Sequence, residues 1–154
     1  MIFDILYTLV MLQVGLTAGL LFIFSIAVNP GLARLNEEEY YRAMKFINQV
    51  ILSPIFFIVF IGPVFTMPFL TYMSRNDLNM FIFTLFSSIL YLLGVILVTT
   101  LRNVPLNNKL EKLKSKDFKD VFLWYKNPWN FWNNIRTFFG ITSFLFLTIN
   151  LVFL

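Results

Sequence analysis

Four stretches of the chain carry no charged side chain: Ile5 to Ala33, Phe46 to Ser74, Leu78 to Leu101 and Thr137 to Leu154. A helix needs roughly 20 residues, at about 1.5 Å each, to cross the hydrocarbon of a bilayer. The first three stretches are ample, and the fourth can borrow from Trp129 onward. Lipid offers no partners for open backbone groups, so the spans must be helices. The expected fold class is therefore all-α. It is an integral membrane four-helix bundle, up-down-up-down, with short amphipathic helices in the cytoplasmic loops. The spans fall near 4–28, 46–73, 78–102 and 130–153, forming a single transmembrane domain over 1–154. The first span has no basic leader and too long an apolar run for a cleavable signal peptide.

Composition agrees. The chain is 58% hydrophobic and only 13% charged, where a soluble domain carries about 25% charged residues. It cannot cover a water-facing surface. It also has no His and no Cys. That removes disulfides, thiol redox chemistry, Fe–S clusters and the usual zinc and iron ligands, so no metal and no cofactor is expected.

Four spans put loops 1–2 and 3–4 on one side. That side holds Arg34, Arg42, Lys45, Arg102, Lys109, Lys112, Lys114, Lys116, Lys119, Lys126 and Arg136; the other holds only Arg75. The positive-inside rule then makes both loops cytoplasmic and both termini non-cytoplasmic. The net charge of +4 is read as facing lipid phosphates, with the bilayer as partner and no nucleic acid.

Local signals divide the chain further. Gly15 and Gly19 share a helix face and permit close helix packing, within the bundle or in a homo-oligomer. Asn29-Pro30-Gly31 should end the first helix. Asn36 with Glu39 makes a capping box, and Glu38 with Arg42 an i,i+4 pair. That amphipathic helix should run directly into the second span, where Pro54, Pro63 and Pro68 are kink candidates. Pro105 should stop the third helix and open another one. Leu106, Leu110 and Leu113, then Phe118, Val121, Phe122 and Tyr125, form apolar stripes among lysines. Trp124, Trp129 and Trp132 lie where indoles anchor the membrane interface.

The polar residues converge on the cytoplasmic mouth. Asn29 closes the first helix, Asn48 opens the second, Arg102, Asn103 and Asn107 end the third, and Trp132, Asn133 and Arg136 begin the fourth. Trp132 and Arg136 are four apart, so the guanidinium can stack on the indole. Arg136 lies about a turn inside the apolar boundary with no acidic residue in any apolar run, so it asks for a neutral partner, a lipid phosphate or an anionic ligand. These eight residues are the candidate ligand-binding set. The same residues also have a structural reading, as helix caps and loop clamps.

The order Ala18-Gly19, Phe24-Ser25, Asn29-Pro30, Met44, Ile47-Asn48, Pro54-Ile55-Phe56, Thr99, Asn103-Val104-Pro105-Leu106-Asn107 and Trp132-Asn133-x-x-Arg136-Thr137 resembles the anthrone-oxygenase-like family of four-helix integral membrane proteins. The resemblance covers nearly the whole chain. Its most specific part is the Asn-Val-Pro-Leu-Asn stretch with the later Trp-Asn-x-x-Arg. It implies, in fungal relatives, oxidation of an anthrone to an anthraquinone by O₂. Three functions follow as expectations: a membrane protein binding a small lipid-soluble or anionic molecule at this mouth; a cofactor-independent oxygenase of an anthrone- or quinol-like substrate; and an oligomeric transporter or accessory subunit.

Overall fold

In the computed structural model, residues 1–113, 118 and 120–151 are described. They are helical and turn segments, with no strand among them. Five helices follow in order: α1 (Ile2–Leu32), α2 (Glu37–Ile51), α3 (Pro54–Asn76), α4 (Leu78–Glu111) and α5 (Asn127–Asn150). Three of them, α1, α3 and α4, are long and apolar enough to cross a membrane. Only about a third or less of each apolar window is buried in the protein. The remainder displays side chains such as Ile5, Ile58, Phe65 and Leu93 outward, which fits a lipid solvent and not water. α5 is not among the three apolar spans. Its Asn133, Arg136, Ser143 and Asn150 are buried against neighbouring helices, so its polarity is turned into the protein. The last three residues expected in that span, 152–154, lie outside the described residues.

α1 packs between α3 and α5, and α4 packs against the same two helices. Buried hydroxyls and amides bind these contacts. Tyr7 Oη donates to Leu147 O (2.5 Å), and Ser87 and Ser143 bond each other and each other's backbone. The most informative case is Pro63 in α3. A proline cannot donate to the carbonyl four residues back, here that of Val59. Thr17 Oγ1 of α1 approaches that oxygen at 3.4 Å, while Gln13 Nε2 donates to Ile58 O and Tyr91 Oη to Phe60 O. Neighbouring helices thus meet the backbone that the proline opens. Gly62 sits beside it because a Cβ there would overlap the Gln13 amide. Gly15 meets the Phe144 ring of α5, whereas the space beside Gly19 is open.

A second core lies at the polar end of the bundle. Tyr40, Tyr41 and Met44 of α2 bury against Leu110, Val121, Tyr125 and Trp129. The capping box at Asn36 and Glu39 and the Glu38–Arg42 pair are both formed, so α2 starts where its sequence says. It does not run into α3. Ser53 takes an extended conformation, accepts from Phe56 N and caps a new helix whose first residue is Pro54. Pro54 is therefore a helix starter and not a kink, because its missing N–H is one the first turn would not use. The lysines expected at 114, 116 and 119 lie outside the described residues.

Candidate functional site

Three prolines shape the polar end, and none of them stops its helix. Pro30, Pro105 and Pro128 each follow a turn of π-helix, at Phe24–Val28, Thr99–Asn103 and Phe122–Lys126. Within these turns Asn29 N donates to Phe24 O, Val104 N to Thr99 O and Asn127 N to Phe122 O, each five residues back. The wider turn moves the carbonyl that a proline ring would strike in an α-helix. This corrects the expected ends at Asn29-Pro30-Gly31 and at Pro105: α1 continues to Leu32 and α4 to Glu111. Asn29 and Asn103 consequently keep helical backbone angles and are not end caps. Their amides point into the protein from the sides of continuous helices, and both are buried.

From this scaffold a hydrogen-bonded network extends inward. Arg136 is only 6% exposed. Its Nη2 donates to Asn133 Oδ1 (2.8 Å) and its Nη1 to Thr99 Oγ1 (3.1 Å). Asn133 Nδ2 in turn donates to Ser25 Oγ (2.8 Å) and to Leu21 O (3.3 Å). Thr137 Oγ1 also reaches Leu21 O, so α1, α4 and α5 are joined at one depth. Asn107 Oδ1 accepts from Trp129 Nε1 (2.8 Å) and Tyr125 Oη (3.0 Å), and Tyr125 Oη accepts from Asn48 Nδ2 (3.3 Å). Asn103 Nδ2 donates to Trp129 O (3.2 Å). A carbonyl only accepts and an indole N–H only donates, so these bonds fix which way each amide faces.

Two polar atoms are left over. Arg136 Nε and Asn103 Oδ1 are buried and have no hydrogen-bond partner. Both residues line a cleft of about 200 Å³ between α1, α2, α3, α4 and α5. Its walls are otherwise largely apolar and aromatic, with Phe24, Phe56, Phe57, Phe60 and Trp129 among them. Asn48, Asn107 and Asn133 complete the polar wall. Among the described residues no Asp or Glu lines the cleft, and no carboxylate pairs with Arg136. Leaving a buried donor or acceptor unpaired costs about 1–3 kcal/mol, more for a charged group. The cleft therefore has one cationic side chain and several amides in its wall, amid aromatic rings.

Of the eight expected site residues, Asn48, Asn103, Asn107, Asn133 and Arg136 line the cleft together. Asn29, Arg102 and Trp132 do not. Asn29 is buried with both amide atoms unpaired, away from the cleft lining. Arg102 and Trp132 pair with each other, the guanidinium 4.8 Å from the indole. This corrects the expected stack of Arg136 on Trp132. Arg136 instead lies 5.4 Å from the ring of Trp129. Spacings of four and seven both return to one helix face, and the network selects seven by anchoring Trp129 on Asn107. Trp129, Tyr125 and Thr99 are the residues that sequence reasoning left out of the site. The i,i+7 spacing was the available signal for Trp129. Outside the spans, burial pushes the Tyr125 hydroxyl well above the usual tyrosine range, so it stays a neutral donor to Asn107.

A family model described as anthrone oxygenase matches residues 55–146, which include most of this cleft. No curated protein and no solved structure matches the chain.

Proposed function

The chain belongs to the anthrone oxygenase family, and from that premise we propose that it is a multi-pass membrane protein whose cleft binds a small, lipid-soluble aromatic molecule bearing an oxygen. In this reading α1, α3, α4 and α5 are four spans in up-down-up-down order, and the polar end with α2 is cytoplasmic. The observation that carries it is a largely aromatic cleft with a cationic and amide wall, in which Arg136 Nε and Asn103 Oδ1 are buried without a partner among the described residues. Both atoms are buried in the cleft wall, and a small rotation of the two side chains would turn them toward a hydroxylated aromatic ketone, whose carbonyl or enolate oxygen accepts from Arg136 and whose hydroxyl donates to Asn103. The test is binding of 1,8-dihydroxyanthrone to the full chain in lipid nanodiscs. Arg136→Gln and Asn103→Leu should each weaken it about tenfold or more, since a lost buried bond is worth about 1–3 kcal/mol. Wild-type affinity in both variants would overturn the assignment.

A second reading adds chemistry at the same place. Arg136 is a fixed cationic donor where an enolate oxygen would carry negative charge, which favours the enolate over the ketone. None of the described side chains lining the cleft is a base, so the anthrone carbon between the rings gives up its proton to water at the membrane surface before the molecule is enclosed. The enolate then gives its electron pair to O₂, forming a carbon–oxygen bond and, with a proton, a hydroperoxide. Loss of water leaves the second carbonyl of the anthraquinone. One O₂ is consumed and one water released per turnover. O₂ uptake matched to quinone formed, and lost in Arg136→Gln, is the expected result; uptake that survives Arg136→Gln refutes this role.

A further inference from the structure

Resting on the reading that the cleft takes a membrane-dissolved molecule, we infer that the molecule enters sideways, through a lateral portal between α3 and α4 that opens onto lipid. The direct route from the polar end is packed shut. Tyr40, Met44, Leu110, Val121 and Tyr125 are almost fully buried there. Asn48 bonds Tyr125, Gln49 bonds Glu111 and Tyr41 Oη bonds Leu113 O, so α2 is tied down across the mouth.

The side wall is different. α3 and α4 are joined at their turn and held by Thr71 to Ser88 (3.0 Å) and by Tyr91 Oη to Phe60 O (2.8 Å). Beyond Phe60 the cleft lies between them, with Phe56 and Phe57 on one bank and Thr100 and Val104 on the other. The break at Ser53 allows this. α3 starts afresh at Pro54 while α2 ends at Ile51, whose side chain with Ile47 and Asn48 forms the end wall of the cleft. Four cleft-lining residues also reach the outer surface: Leu52 at 61%, Phe57 at 46% and Val104 at 40% exposed, with Thr100 exposed beside them. The surface on either side is apolar as well, with Ile55 and Ile58 on α3 and Leu97 and Leu101 on α4 exposed. Leu52, Phe57 and Val104 make the exposed rim mostly apolar, with the Thr100 hydroxyl among them. A molecule already dissolved in the leaflet meets a continuous apolar path to Arg136 and Asn103. The cleft therefore selects for partition into lipid before it selects for the oxygen.

The lack of native Cys makes the test clean. A nitroxide is placed on Phe57→Cys in phosphatidylcholine vesicles, with Leu97→Cys as lipid reference and Asn108→Cys as water reference. Collision with O₂ and with a water-soluble nickel chelate is measured without ligand. A Phe57 label that resembles the Leu97 label supports the portal, and one that resembles the Asn108 label overturns it. Independently, Val104→Trp should slow uptake of 1,8-dihydroxyanthrone from donor vesicles at least tenfold. An unchanged rate with a normally folded variant overturns the portal. Failure of the binding site itself reads differently: Arg136→Gln then leaves affinity intact whatever the label reports.

Discussion

The bond from Arg136 Nη2 to Asn133 Oδ1 is 2.8 Å long and buried, so the two side chains should be energetically coupled. The perturbation is a double-mutant cycle of Asn133→Ala, Arg136→Met and both. Asn133→Ala removes this charged-donor bond, worth about 1.5–3 kcal/mol in soluble proteins, and the neutral bond to Ser25, about 0.5–1.5 kcal/mol. Bonds between helices in a bilayer average about 0.6 kcal/mol and reach about 1.7 kcal/mol. Together these place the single substitution at about 1–4 kcal/mol destabilising, with about 1–2 kcal/mol belonging to the Arg136 contact. Arg136→Met alone mixes that loss with relief from holding a cation in a dry site, and the cycle cancels this second effect. The double variant should therefore be about 1–2 kcal/mol more stable than the summed singles require. The assay is reversible unfolding in mixed micelles by added dodecyl sulfate, followed by circular dichroism. Singles that add within about 0.5 kcal/mol would refute the coupling and, with it, the network that aims Arg136 into the cleft.

Further expectations concern other positions. The Tyr40 hydroxyl is fully buried without a partner, so Tyr40→Phe should be neutral or stabilise by about 1 kcal/mol, and a loss above that would show a missed partner. Burial pushes the Tyr40 and Tyr125 hydroxyls above the usual range, so the unfolded chain releases these protons first. Stability should be level through neutral pH and fall as pH rises beyond about 10, more gently in Tyr40→Phe, as read by unfolding at stepped pH. Gly94→Ala should cost about 1–3 kcal/mol because its Cβ would overlap the Phe139 ring, whereas Gly19→Ala, facing open space, should gain up to about 1 kcal/mol. Equal effects at the two glycines in the micelle assay would contradict that packing.

Charge absence is a long-range signal, so the three apolar helices were readable from the charge-free runs alone. The α2 start was readable because Asn36, Glu38, Glu39 and Arg42 interact only within a turn or so. Proline positions were harder. Pro30, Pro105 and Pro54 look alike as breakers, yet two sit behind π turns and one opens a helix. What separates them is whether neighbours supply enough packing to hold a wider turn, and that is tertiary. The site divides in the same way. Arg136 was conspicuous as a charge among apolar residues. Its partner ring was not, since Trp129 and Trp132 both lie on accessible faces and only Asn107, 22 residues before Trp129, decides between them. Asn29 and Arg102 share the depth of the site without its direction. Depth follows from position along a helix, and direction from a rotation that π turns alter.

That rotation makes the chain's length locally unforgiving. An α-helix turns about 100° per residue. The π turn at Thr99–Asn103 holds one residue more than an α turn would. Deleting a single residue there would leave the composition and hydropathy of α4 almost untouched. Yet it would swing Asn103 and Asn107 about a quarter-turn away from Trp129 or force the Pro105 ring against a carbonyl. Insertions and deletions, usually tolerated best in loops, are here forbidden in one turn of a helix for reasons that no substitution scan would reveal.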